Sequence, residues 1–183
     1  MLFSSTSRRE RSAAARLYAA CAQASRAPAF FLAFGVLDTL QGRFEMFALH
    51  LFPVLHRLMH DPGDDPELAR LVSEAFVADM DAAMREMGVG DVTVPKRVKT
   101  LYASFAGRIS AYKSGLAGGE EALAAAVARN IFPEEPQDGR ALNLAIYLTK
   151  AVAAVRDASF ESLRGGDVPF PPPEGISSEE TTR

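Results

Sequence analysis

From residue 7 to residue 163 the apolar side chains recur every three or four positions, and no stretch alternates apolar and polar as a half-buried strand does. Stripes of that period are buried only by packing helix on helix. The expected fold is therefore all-α, a single compact helical domain of about six or seven helices. Long helices are predicted over about 7–26, 40–60, 66–87, 95–116, 120–130 and 140–163, with a short apolar stretch between Pro28 and Gly35. Pro66 suits a first helical turn and Gly88 a left-handed stop. Pro53 falls inside a predicted helix, where it removes a backbone hydrogen bond and is expected to kink the axis. The last helix is apolar nearly all round and is expected to be central and buried.

At 183 residues, 48 % of them hydrophobic, the chain has material for one core and is too apolar to be disordered throughout. Three stretches differ in character. Residues 1–26 form a basic helix with five arginines against one glutamate. Residues 27–164 form the helical domain. Residues 165–183 form a flexible acidic tail, rich in Gly, Pro and Ser, that is expected to bury little. The net charge of −3 gives no footprint of a dedicated nucleic-acid binder, and no DNA partner is expected. The basic head offers contact to anionic lipid or RNA phosphates.

Cys21 is the only cysteine, so no disulfide framework exists and a reducing compartment is expected, with the thiol buried and inert. The first seven residues lack the apolar stretch of a secretory signal. The most apolar run, residues 27–37, is about half of what spans a bilayer. A soluble protein is expected, at most peripheral on a membrane.

Few polar residues break the bland pattern. On the helical wheel of 66–87, Asp79 falls near the centre of the arc of Leu68, Leu71, Val72, Phe76 and Ala83, with Asp81 opposite. A carboxylate on a core-facing stripe needs a cation. Arg43, Arg97 and Arg108 are the candidates. Asp79 then reads either as a structural ion pair or as an acid gripping a partner. His56 and His60 have the i, i+4 spacing of metal ligands, but no Glu-x-x-His motif recurs on two helices as a di-iron bundle requires. They read as solvated or core-edge histidines, and no metal site is expected. No phosphate loop and no nucleophile with an evident base is present. Neither an enzyme nor a cofactor is expected.

Several blocks carry a specific resemblance. They are Asp38-Thr39-Leu40-Gln41-Gly42-Arg43-Phe44-Glu45-Met46 with Leu49-His50; Phe76-Val77-Ala78-Asp79-Met80-Asp81; Arg85 through Asp91; and Val94-Pro95-Lys96-Arg97-Val98-Lys99. Phe105, Gly107, Arg108, Ala111 and Tyr112 extend them. The run from about Phe30 to the final helix resembles the ubiquinol–cytochrome c chaperone family, which contains the mitochondrial assembly factor for the cytochrome bc complex. The resemblance implies a helical chaperone that binds newly made cytochrome b, or another subunit of that complex. It also implies a possible small partner protein and contact with the ribosome near its tunnel exit. Without the long N-terminal extension of mitochondrial members before its helical domain, and with an Ala- and Arg-rich composition, the chain is expected to be a bacterial member. The expected place is the cytoplasm, peripheral at the inner membrane, with the mitochondrial matrix as the alternative.

Such a chaperone needs apolar surface for its client and basic surface for ribosome or lipid. Phe30, Phe31 and Phe34 are candidates for the first, although core packing is their simpler reading. Lys96, Arg97 and Lys99 are candidates for the second. The competing class is a helical carrier of haem or a hydrophobic ligand, with His50 or His56 as axial ligand.

Overall fold

The computed structural model describes residues 8–60, 63–134 and 139–173. Its helices are α1 (Arg8–Ala24), α2 (Pro28–Leu32), α3 (Leu40–His60), α4 (Pro66–Glu86), α5 (Val94–Gly118), α6 (Glu120–Ile131), α7 (Arg140–Asp157) and α8 (Phe160–Gly165), and no strand occurs among the described residues. Six are long. The remaining two, α2 and α8, have five and six residues.

The central element is α3. It packs against α1, α4, α5, α6 and α7, and 14 of its 21 residues are buried. Apolar residues on both of its faces explain the position. Met46, Leu49 and Phe52 join a cluster with Phe30, Phe34, Leu123, Leu144, Tyr147 and Leu148. Phe47, Leu51, Leu55 and Leu58 join a second cluster with Leu17, Leu68, Val72, Phe76, Phe105 and Leu163. The helix continues through the buried Pro53.

The expected central helix at 140–163 is two helices instead. α7 stops at Asp157, Ala158 is extended, and the Ser159 side chain accepts a hydrogen bond from the Ser162 amide at 3.1 Å to start α8. Only one face of α7 is buried, and Leu142, Thr149 and Lys150 are exposed.

α4 and α5 form a hairpin. Asp65 caps α4 by accepting from the Leu68 amide at 3.0 Å, with Pro66 in the first turn. Beyond Phe76 no residue of α4 is buried. α5 turns into α6 at Gly119, φ +92°. At Gly115 a Cβ would lie 2.9 Å from the Leu123 Cα, so glycine permits the close approach of these two helices.

The segment after α8 packs further than its composition predicts. Gly166 (φ +88°) closes α8, and its amide donates to the Leu163 carbonyl. Val168 and Phe170 then pack on the core, with the Phe170 ring 5.1 Å from the His50 ring. Val168 and Phe170 are thus packed residues within the stretch expected to be tail, and residues 174–183 lie outside the described residues. No helix among the described residues is long and apolar enough to cross a membrane.

Candidate functional site

One face of α4 is left open by its neighbours. Leu68, Leu71, Val72 and Phe76 point into the core. The adjoining stripe of Pro66, Ala69, Arg70, Ser73, Glu74, Val77, Ala78 and Asp81 forms a wall of an open groove of about 850 Å³. Met59 from the end of α3 and Tyr102 from α5 complete it, and both are exposed. The wall spans 16 residues of helix, about 22 Å at the usual rise.

Charges along the groove are neutralised within α4 and its turn. Arg70 donates to Glu67 at 2.6 Å and pairs with Glu74, which raises its guanidinium pKa. Arg85 donates to Asp81 at 2.5 Å, lowering that carboxylate below the usual range, and also pairs with Asp91. What remains is an apolar floor of Met59, Ala69, Val77, Ala78 and Tyr102. Such a lining offers apolar surface between the paired charges.

The groove runs toward the α4–α5 turn. There Met87 and Val92 stand in solvent, 61 % and 95 % exposed. The exposed Lys96, Arg97 and Lys99 follow on the first turns of α5.

The acid expected in the core is elsewhere. Asp79 is exposed and accepts a hydrogen bond from the Tyr18 hydroxyl at 2.6 Å. Burial, then Asp79, raises the Tyr18 pKa. Arg43 pairs with Asp38 at 2.7 Å and lies over the Phe31 ring. Arg97 is exposed, and Arg108 is taken by another carboxylate. Phe76 is the last fully buried residue of α4; Val77 and Met80 beyond it are only half-covered, and Asp79 faces solvent. The buried acid is Glu45, 1 % exposed. Arg108 Nε donates to it at 2.6 Å and Nη2 reaches its other oxygen, while Arg108 also lies over Phe44. Gln41 donates to Glu45 as well. Glu45, an acid inside the most apolar helix, carries the same signal in the sequence as Asp79.

Two of the three candidate client-binding phenylalanines are core residues. Phe30 is 1 % and Phe34 5 % exposed, with rings 5.5 Å apart and Phe30 edge-on to Tyr147 at 5.0 Å. The backbone draws them inward: Phe34 and Val36 amides donate to Ala29 and Phe30 carbonyls. Phe31 is half-buried beneath Arg43.

His50 is fully buried with both ring nitrogens engaged. Nδ1–H donates to the Met46 carbonyl at 2.7 Å, so Nε2 accepts from the Tyr147 hydroxyl at 2.9 Å. Burial pushes its pKa down to about 4. This closed arrangement leaves no nitrogen facing an axial position. His56 and His60 stack at 5.1 Å, and His60 Nε2 lies 2.7 Å from Lys113 Nζ. No group of three metal-ligating side chains occurs among the described residues.

Residues 32–170 match the family described as ubiquinol-cytochrome C chaperone. The chain belongs to that family. The matched span contains the groove, the basic turn, the Glu45–Arg108 pair and Phe170, and leaves α1 outside it. The chaperone family fold is also seen in the crystal structure of the Cbp3 homolog from Brucella abortus. That structure has a TM-score of 0.81 and 35 % identity, covering 92 % of this chain and 94 % of that one. Ubiquinol-cytochrome c reductase complex assembly factor 1 from mouse is 26 % identical over 152 residues, 82 % of this chain and 52 % of that protein. Its Xenopus laevis counterpart is 27 % identical over 141 residues, 76 % of this chain and 70 % of that protein. This chaperone-family chain spans about half the length of the mouse relative it matches.

Proposed function

We propose that this chain is an assembly factor for ubiquinol–cytochrome c reductase that acts by holding newly made cytochrome b, without catalysing a reaction. Family membership supports the assembly role, and one observation carries the mode of action. The groove on α4 is open, apolar along its floor and about 22 Å long, the span of a helical segment of about 15 residues. Small side chains at Ala69, Ser73 and Ala78 let the backbone of a client helix approach closely. An apolar segment of cytochrome b that awaits its partners has the matching surface.

Deleting the gene and measuring the assembled complex and its cytochrome b tests the reading. Assembly is expected to fall, and the parent gene to restore it. Unchanged assembly would overturn the proposal. Ala78→Trp places an indole in the groove at an exposed position, so the variant should fold as the parent does and recover several-fold less cytochrome b. Full rescue by that variant would remove the groove from the mechanism and leave the assembly role standing.

A further inference from the structure

The α4–α5 turn combines two features that seldom meet without a partner. Val92 and Met87 are aliphatic side chains placed in solvent at 95 % and 61 % exposure. Residues 85–99 carry four cations and two acids within a chain whose net charge is −3. Of the two acids, Asp91 is held by Arg85, which also grips Asp81. Lys96, Arg97 and Lys99 are left facing solvent beside the apolar tip.

The turn has a fixed shape. Gly88 (φ +77°) ends α4 with its amide on the Arg85 carbonyl at 2.9 Å. Val89 donates to Met84 at 3.1 Å, and Thr93 to Gly90 at 2.8 Å. The three cations also stand in the opening turns of α5, where the helix dipole favours acids. Helix stability does not account for them.

We infer that the α4–α5 turn is a membrane-interface contact, with Val92 and Met87 entering the headgroup boundary of an anionic bilayer and Lys96, Arg97 and Lys99 meeting its phosphates. Aliphatic tips ringed by cations bind such interfaces by burial and charge together. Ribosomal RNA would use the cations and leave the aliphatic side chains in water. The groove lies on the same helix, its wall ending at Asp81, six residues before Met87, so the contact would bring α4 and its open groove to the bilayer surface end-on. The inference does not depend on the identity of the client.

Co-sedimentation of the full chain with vesicles tests it. One set holds equal parts phosphatidylcholine and phosphatidylglycerol, the other phosphatidylcholine alone. The parent should bind the anionic set, and less as salt rises. Lys96→Glu with Lys99→Glu should weaken that binding by more than about tenfold. Val92→Asp with Met87→Ser should weaken it by about tenfold or more. Both double variants should keep the parent's circular dichroism and melting temperature, because all four side chains are exposed. Absence of anionic-vesicle binding by the parent overturns the inference. So does vesicle binding that survives Val92→Asp with Met87→Ser, whether or not the lysine variant loses it. Pelleting with ribosomes but not with vesicles overturns it in favour of an RNA contact.

Discussion

Glu45 is tolerated in the most apolar helix because Arg108 meets both of its oxygens and Gln41 adds a donor. Removing one member of a buried pair leaves the other charged and desolvated, a loss of about 3–5 kcal/mol. Glu45→Ala should therefore destabilise the chain by that amount in urea titrations at neutral pH. Asp79→Ala gives up one hydrogen bond with Tyr18 on an exposed face and should cost about 1 kcal/mol. Equal losses would mean that the Glu45–Arg108 pair is effectively hydrated. His50 gives the residue scale its pH dependence. Its pKa is about 4 in the folded chain, against roughly 6.5 when unfolded. The folded state favours the neutral ring, so this stability is fully present above about pH 6.5 and is lost as pH falls toward 4. The loss is on the order of 3 kcal/mol. Subtracting the stability curve of His50→Phe from that of the parent should isolate this slope. A flat difference across the window would show that the ring is hydrated in the folded chain.

Among elements, the segment after α8 changes most between composition and structure. Four prolines between Pro169 and Pro173, together with flanking glycines, read as tail. Yet Phe170 meets the His50 ring edge-on and packs against both apolar clusters. Half-burying a phenylalanine and a valine contributes on the order of 2 kcal/mol. Truncation after Pro173 should leave the melting temperature unchanged, whereas truncation after Gly165 should lower it by several degrees. Phe170→Ala in the full chain should reproduce much of that loss. Equal melting temperatures for the two truncations would show that the segment lies on the core without stabilising it. The helix extents themselves were legible in advance. α3 runs over the predicted 40–60, and the predicted start of α4 at Pro66 coincides with its Asp65 cap. These boundaries follow local chemistry: proline in first turns, glycine with positive φ at stops, and turn residues clustered between. The break between α7 and α8 was missed, although Ser159, a favoured cap residue, was a local signal for it.

The two apolar clusters of the whole molecule share α3, one on each of its faces. Neither cluster keeps its packing once α3 leaves, so the described helices should unfold together. Helix loss followed by far-ultraviolet circular dichroism should coincide with exposure of the buried Tyr112 and Tyr147, followed by tyrosine absorbance. Separated transitions would show that the clusters are independent units. The α4–α5 hairpin is the exception in burial: it gives one face to the shared core and offers the groove along α4 and the turn at its tip to solvent.

The sequence by itself determined the all-α class, most helix extents apart from the break between α7 and α8, and the family, because periodicity, capping residues and fixed-spacing blocks are local properties of the chain. Tertiary structure decided which acid is buried, which phenylalanines are core and that Val168 and Phe170 pack on the core. A helical wheel gives the angle of a side chain about its axis, but not how far along that axis a neighbouring helix reaches. Asp79 and Phe76 share an arc, yet only Phe76 is covered. Phe30, Phe31 and Phe34 looked alike in sequence, and the turn after α2 drove two of them fully inward. The groove is the space left where α3, α4 and α5 stop covering one another, and no single segment encodes it.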